Sequence, residues 1–566
     1  MDRFWLPQYP PAVPADIDPY EIESLKTLVE DACSRYADRI AYYSMGTSMT
    51  YSELDARSRA FGAWLQQSAG LKSGDRIAIM LPNLLQYPIA MFGAMRAGLT
   101  VVNTNPLYTA AELEHQLKDS GASAVVVLEN FAATLEQAMP GTRVRQVIVT
   151  GVGDLLNWPK GAIINFVLRR VHKKVPRWSI PEFRTFRQVL AEGRSQRLLP
   201  VHLDRNDLAY LQYTGGTTGV AKGAMLTHGN LIANVLQCRA WFQQVALEEA
   251  TYVCALPLYH IFSLTANCWL FTALGGSGML IANPRDCPAL VQELKRYRPS
   301  FFFGVNTLFN ALMNQPEFAR LDFSRLRGAV AGGMALQSSV AQRWKQITGC
   351  TLTQGWGLTE ASPVGCVGKL VPPDDDLTGS IGLPVSSTEL TIRDDDGAVL
   401  PIGAVGEICL RGPQVMRGYW QRPEETAKVM LPDGWLRTGD VGRFDDRGFV
   451  YIEDRKKDMI IVSGFKVYPN EIEDQIARCP GVVEVAAVAQ SDEHSGEVVA
   501  LFIVRKDPSL TEQAIKQYAQ QYLTGYKRPA AVYFRDELPK TNVGKILRRE
   551  LRDALASERS RADGQA

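Results

Sequence analysis

From residue 76 onward, short β-branched runs alternate with stretches of helical period, and this alternation restricts the fold more than any other feature of the 566-residue chain. Arg76–Met80 and Ala124–Leu128 read as strands, while 85–96 and Ala110–Ser120 read as helices. Such a cadence predicts a mainly parallel sheet with helices on its faces, because parallel neighbours need a crossover that packs back onto the sheet. Segments 253–256, 300–304 and 326–331 continue the strand series. Ahead of them lie helical stretches at 22–36 and Tyr51–Gln67, the second with Thr50 or Ser52 as its cap. From Gly406 the rhythm changes to short strands and turns, and Asp445-Asp446-Arg447-Gly448 predicts a hairpin within 442–454. Beyond Lys457, strands at 482–489, 498–504 and 531–534 and a helix at 510–523 predict a small α+β domain, with 554–566 frayed. The fold class read from this pattern is α/β, with a large multi-sheet N-terminal domain over 1–456 and a small C-terminal domain over 457–566.

Hydrophobic residues make 46% of the chain and charged residues 21%, with a formal net charge of +1. That composition fills sizeable cores and leaves no global basic field for nucleic acid. Nine scattered cysteines without metal-site spacing predict a reduced, intracellular protein. The first residues carry Asp2, Asp16 and Asp18 among prolines, so no secretory signal is read and a cytoplasmic location is expected. The long uncharged stretch 250–284 contains Pro257, His260, Asn267 and the Gly275, Gly276 and Gly278 cluster. It therefore reads as strand, buried helix and strand rather than as a membrane span. A different segment stands apart. Ile163, Ile164, Val167, Leu168 and Val171 share a helical face beside Arg169, Arg170, His172, Lys173 and Lys174, with Trp158 and Trp178 at its ends. It suits peripheral contact with an anionic membrane, and it suits an ordinary surface helix.

The strongest chemical signal is Tyr213-Thr214-Gly215-Gly216-Thr217-Thr218-Gly219-Val220-Ala221-Lys222-Gly223, which follows a strand-like run. Three hydroxyls, glycines that let backbone N–H groups approach a ligand, and one lysine form a cradle for oligophosphate. It is not the Walker arrangement, because glycine follows Lys222. Gly355-Trp356-Gly357-Leu358-Thr359-Glu360 sets an aromatic, a hydroxyl and a carboxylate in one compact turn. These are the groups needed to stack on a purine, bond a phosphate and ligate magnesium, although a buried tryptophan and a helix cap would look the same. Asp440, in Trp435-Leu436-Arg437-Thr438-Gly439-Asp440, can accept from two hydroxyls or close an Asx turn on its own backbone. Lys545, in Pro539-Lys540-Thr541-Asn542-Val543-Gly544-Lys545, can bridge two anions, and a basic surface helix has the same local sequence. No Gly-x-Ser-x-Gly elbow is present and no cysteine stands beside a convincing base, which argues against a covalent acyl-enzyme.

Taken together, these motifs resemble the adenylate-forming, AMP-binding superfamily of acyl-CoA synthetases over nearly the whole chain. Trp5-Leu6-Pro7-Gln8-Tyr9-Pro10 and Asn103-Thr104-Asn105-Pro106-Leu107-Tyr108 resemble the bacterial long-chain fatty acid–CoA ligases in particular. The resemblance implies a large N-terminal adenylate-forming domain that binds ATP and acid. It also implies a small mobile C-terminal domain that rotates between adenylation and thioesterification, with ATP, a fatty acid and coenzyme A as substrates and Mg2+ as cofactor. It assigns the phosphates to Thr214, Gly215, Gly216, Thr217, Thr218, Gly219 and Lys222. Gly332 and Gly333, in Val330-Ala331-Gly332-Gly333-Met334, would approach nucleotide and acid. Gly355, Trp356, Gly357 and Thr359 would line the nucleotide, with Trp356 standing where the family has a tyrosine against adenine. Glu360 and Thr214 would hold the metal and Asp440 the ribose. Arg455 would reach the nucleotide, and Lys457 matches the hinge. Gly464, in Ser463-Gly464-Phe465-Lys466-Val467, would line the thiol channel after rotation. His260 would sit by the acyl carboxylate, and Lys545 matches the catalytic lysine of adenylation. Trp241, Phe262, 301–303 and Phe309 are candidates for an apolar tunnel and equally for core. A medium-chain or aryl acid, a carrier protein as acceptor, and a catalytically silent nucleotide-binding or scaffold protein stay open as other readings. No nucleic acid partner is expected, and a homodimer is compatible with the sequence.

Overall fold

The computed structural model describes residues 3–214, 221–243, 245, 249–370, 379–492, 494–541 and 543–563. Among them three sheets organise the chain. A seven-stranded sheet runs in the order Arg184–Thr185, Gln146–Thr150, Ala124–Leu128, Arg76–Met80, Thr100–Asn103, Leu208–Tyr213 and Gly223–Thr227. It is parallel up to Leu208–Tyr213, which turns back on Gly223–Thr227 as an antiparallel pair. Its central strands are buried on both faces, as the crossover cadence requires.

A thirteen-stranded sheet holds the parallel series Ile40–Ser44, Ser277–Leu280, Thr251–Cys254, Phe301–Gly304, Gly328–Gly332 and Leu352–Gly357. It continues in antiparallel sense through Val364–Val367 and Ser380–Pro384 to the meander Glu389–Arg393, Gly406–Arg411, Leu436–Phe444 and Val450–Arg455. The hairpin expected at 445–448 is present, with Asp445 N donating to Phe449 O and Gly448 at φ 94°. The uncharged stretch forms Thr251–Cys254, a helical run from Ile261 to Leu274 and Ser277–Leu280, as read from its interruptions. No helix among the described residues is long and apolar enough to cross a membrane.

The third sheet comprises Ile460–Val462, Phe465–Val467, Val482–Asp492, Gly496–Arg505 and Pro529–Phe534. The expected fraying of 554–566 is corrected as far as Asp563, because one helix spans Arg548–Asp563. Leu551 and Leu555, one turn apart, pack against Ala486, Val488 and Phe502, and this burial orders the helix.

Helix starts follow their chemistry. Thr50, not Ser52, caps Tyr51–Gln67 in a reciprocal box with Glu53, and Thr109 with Glu112 repeats the device at Ala110–Ser120. The 22–36 stretch is helical over Leu25–Arg35, where Ser24 accepts from Thr27 N.

The surface segment departs from the expected face. Ile164 packs on the core while Val167 and Leu168 are half-buried. The side chains turned outward are Trp158, 87% exposed, and Ile163, Phe166 and Val171. The helix is seated by Gly153 and Gly161, whose backbones approach so closely that a Cβ on Gly161 would lie 2.1 Å from Gly153 O. Asn165 fastens it further, accepting from Gly153 N and donating to Asp154.

Candidate active site

The parallel strands of both large sheets end toward one cavity of about 1240 Å³, as expected where ligands bind at the carboxyl ends of strands. Thr214 follows Leu208–Tyr213, Gly332 ends Gly328–Gly332, and Gly357 ends Leu352–Gly357 before the turn bearing Thr359 and Glu360. These residues line the cavity together with Lys222, His260, Gly333, Gly355, Trp356, Arg455, Lys457 and Lys545. Asp440 is set into the wall behind Trp356 and Gly439, within reach of Arg455. Gly464 is not among the lining residues; it occupies the tip of the hairpin between Ile460–Val462 and Phe465–Val467 at φ 85°. Gly215, Gly216, Thr217, Thr218 and Gly219 lie outside the described residues. Their two flanks meet, Thr214 N donating to Lys222 O at 3.0 Å.

The polar half of the cavity is a web of opposed charges. Lys222 pairs with Glu425 and stands over the Tyr419 ring, 5.2 Å from its centroid. The Lys222 ammonium, with Lys428 adding to it, pulls the Glu425 carboxyl down to about 2. Tyr419 Oη donates to Glu360 Oε1 at 2.6 Å, and burial followed by the Glu360 charge drives this phenol well above its usual range. Glu407 orders the rim by accepting from Arg437 Nη2 at 2.7 Å and from Gly439 N at 3.1 Å. Tyr419, Glu407 and Glu425 were not singled out from sequence. Glu407 acquires its place through the strand Gly406–Arg411, Tyr419 through a bridge to Ala224 and Glu425 through the first turn of the helix Pro423–Val429, and none sits in a distinctive string.

Lys545 reaches this web from the third sheet's side of the molecule. Its turn is closed by Thr541 N donating to Lys545 O at 2.7 Å, and Thr307 Oγ1 donates to Gly544 O at 3.0 Å. Elsewhere across the same contact Asp474 accepts from Ser338 Oγ at 2.7 Å, and Asn310 donates to Val483 O at 3.2 Å. Burial lowers the Lys545 ammonium to about 8, the Arg455 charge pushing the same way and Asp440 and Glu360 opposing. His260 is lowered to about 3, first by burial and then by Lys545, so the imidazole is neutral. Lys457 falls to about 8 through burial and Arg455. Lys545 thus lies within electrostatic reach both of His260 and of Glu360, Asp440 and Arg455.

Beyond His260 the wall turns apolar, with Cys238, Phe242, Ala266, Leu270, Phe303 and Val367 among its side chains. Of the aromatic candidates, Phe262 and Phe303 line this space, whereas Trp241, Phe301, Phe302 and Phe309 are packed in the core. Trp241 is held there by its Nε1 donating to Gly368 O at 2.9 Å. Cys238 is a free thiol, and burial raises it to about 12.

No group of three or more His, Cys, Asp or Glu side chains among the described residues could hold a metal by itself. One carboxylate and one hydroxyl, Glu360 and Thr214, nevertheless fit the manner in which Mg2+ is held beside nucleotides, where phosphates and water complete the shell.

The family of AMP-binding enzymes matches residues 29–420, and the AMP-binding enzyme C-terminal domain matches residues 471–545. The chain is 54% identical over 555 residues to the long-chain-fatty-acid–CoA ligase of Escherichia coli O6:H1, covering 98% of each sequence. It is 37% identical to the Bacillus subtilis enzyme of the same name, covering 97% of each. Among solved structures, ATP-bound MatB from Rhodopseudomonas palustris superposes with a TM-score of 0.80 at 27% identity, over 94% of this chain and 99% of that one. The anthranilate CoA ligase AuaEII shares the fold, with a TM-score of 0.84 at 24% identity over 96% of this chain and all of that one. The convergence of a hydroxyl-rich strand end, a Trp-Gly-x-Thr-Glu turn and a lysine delivered from the C-terminal region thus has its counterpart in sequence kinship, and the chain belongs to the AMP-binding enzyme family, among the bacterial long-chain-fatty-acid–CoA ligases.

Proposed function

We propose that the protein converts ATP, a long-chain fatty acid and coenzyme A into AMP, diphosphate and acyl-CoA through an acyl-adenylate. The observation that carries this reading is the single cavity in which a charged half meets an apolar half at Lys545 and His260. The fatty carboxylate attacks the α-phosphorus, forming a P–O bond as the bond to diphosphate breaks. Lys545 draws the two anions together, and His260, being neutral, lies beside the carboxylate without adding charge. Lys222 exchanges Glu425 for the departing phosphates. Glu360 and Thr214 are the residues that would hold a magnesium ion, whose chemistry there is to offset the charge of those phosphates. Movement of the C-terminal region about Lys457 would then withdraw Lys545 and bring Gly464 toward the site. The coenzyme A thiol gives up its proton and forms a C–S bond to the carbonyl as AMP departs.

An acyl-chain series tests the substrate class. With coenzyme A-dependent AMP formation as the readout, kcat/KM is expected to climb about fourfold per added methylene, the equivalent of ~0.8 kcal/mol each, to an optimum near C14 to C18. An optimum at short-chain or aryl acids would overturn the long-chain reading and leave the adenylation reading intact.

A location on the membrane surface fits the same substrate. We propose that Trp158, Ile163 and Phe166 enter the interface of an anionic bilayer while Arg170, Lys173 and Lys174 meet its headgroups. The support is the outward set of these apolar side chains, Trp158 just ahead of a firmly seated helix and Ile163 and Phe166 on it, beside a basic run. Co-sedimentation with phosphatidylglycerol vesicles is expected to exceed that with phosphatidylcholine, to weaken in salt, and to be lost when Trp158 and Phe166 are both changed to Ser. Equal recovery of the unaltered protein and the double variant with both lipids would refute it.

A further inference from the structure

The residue at which the chain departs from its family's pattern makes a contact that a phenylalanine could not. Trp356 Nε1 donates to Asp440 Oδ2 at 2.8 Å, joining residues 84 positions apart. Both are nearly enclosed, each at 7% exposure, so the bond is formed away from bulk water. An indole N–H is a donor only, so its partner must be an acceptor and the direction of the bond is fixed. The other carboxylate oxygen, Oδ1, has Arg455 Nε 3.3 Å away, and Asp440 N is itself held by Thr438 Oγ1 at 3.1 Å. The carboxylate is therefore oriented from two sides, and a carboxylate has about four acceptor sites, which leaves capacity for further donors.

The indole is also given a berth. On the adjacent strand, Trp356 pairs with Cys366, next to Gly365. A Cβ placed on Gly365 would come 2.6 Å from Trp356 Cζ3 and 2.8 Å from Leu410 Cδ1. The wider ring, the missing Cβ and the carboxylate form one arrangement.

We propose that Trp356 is the positioning residue for Asp440, so that selection of ribose over deoxyribose in this chain runs through the indole N–H. This rests on the reading of Asp440 as the acceptor of the ribose hydroxyls. Trp356 presents its ring to the cavity and its nitrogen to the wall, and the rotamer of Asp440 follows from that bond. Loss of the N–H frees the carboxylate to swing toward Arg455, and the hydroxyl contacts weaken while the ring contact persists.

The test measures ATP, 2′-deoxy-ATP and 3′-deoxy-ATP binding, with KM and kcat, in the full-length enzyme and four variants. In Trp356→Phe, and in protein carrying the isosteric benzothienylalanine at 356, the preference for ATP over the deoxy forms is expected to shrink about tenfold, as for loss of a bond to a charged group. KM for ATP should rise while kcat at saturating ATP stays within about twofold. Gly365→Ala, which drives the ring from its berth, should reproduce the effect. Asp440→Asn should also reduce the preference. If the benzothienyl protein, which keeps shape and stacking, retains the full preference, the proposal fails. If Trp356→Phe weakens all three nucleotides equally, Trp356 acts through stacking alone and the proposal also fails. If Asp440→Asn leaves the preference intact, it is the ribose reading of Asp440 that falls.

Discussion

Replacing Lys545 by alanine is expected to slow acid-dependent diphosphate release by about 10²–10³-fold, the range seen when one donor to a developing anion is removed. Thioester formation from acyl-adenylate supplied in place of ATP and acid should be nearly unchanged, because the proposed role ends with the first half-reaction. Equal losses in both would sink the assignment. The same residue dictates a pH dependence. Only the ammonium form can bridge two anions, and burial has lowered it to about 8 from an ordinary lysine value of about 10.4. A lowered value means the proton is lost at lower pH than from a free lysine. The kcat/KM for ATP should therefore be level below that value and fall as pH rises through about 8, reporting the free enzyme. Lys545→Arg should move this fall out of the accessible range. Lys457 also lies near 8, so Lys457→Met is the control, expected to keep the limb of the first half-reaction and to move it only slightly upward, because the Lys457 charge is a small part of what lowers Lys545.

A second large effect is expected from one methyl group. In Gly357→Ala the new Cβ would stand 2.0 Å from the carbonyl oxygen of Pro363, which accepts from Leu358 N at 3.0 Å. Backbone on both sides leaves no side chain able to yield, so the two strands must part and that hydrogen bond stretches. Overpacking and the weakened bond together should cost about 2–4 kcal/mol. The turn that displaced backbone carries holds Thr359 and Glu360. ATP-dependent activity is expected to fall by two orders of magnitude alongside a lowered unfolding midpoint. A variant with both quantities unaltered would show that the turn tolerates a shift which its geometry forbids.

What could be read from the sequence was whatever is written locally. The helix start at Thr50 or Ser52, the strand–helix alternation and the hairpin at 445–448 each depend on residues within a few positions of one another, whereas the box at Thr109, equally local, was not singled out. The same holds for the strings around Thr214, Glu360 and Lys545, which lie at strand ends or in tight turns. Contacts made by topology left no such mark. Glu360 meets Tyr419 across 59 positions, and Lys222 meets Glu425 across 203. The apolar wall was only partly legible because phenylalanines that face the cavity and those that fill the core have one composition. Phe303 and Phe302 are neighbours on a strand, and alternation sends the first to the cavity and the second against Phe309 and Trp344. The continuation of the C-terminal helix past 554 was missed because its polar residues outnumber the two leucines that anchor it.

Cys238 gives the apolar wall a chemical meaning. A mixed anhydride is an acylating agent, and any thiolate beside it competes with the intended acceptor. Burial pushes the Cys238 thiol up to about 12, so at neutral pH it stays protonated and is a poor nucleophile. The cavity wall can thus hold a sulfur without offering a competing nucleophile to an activated carboxyl.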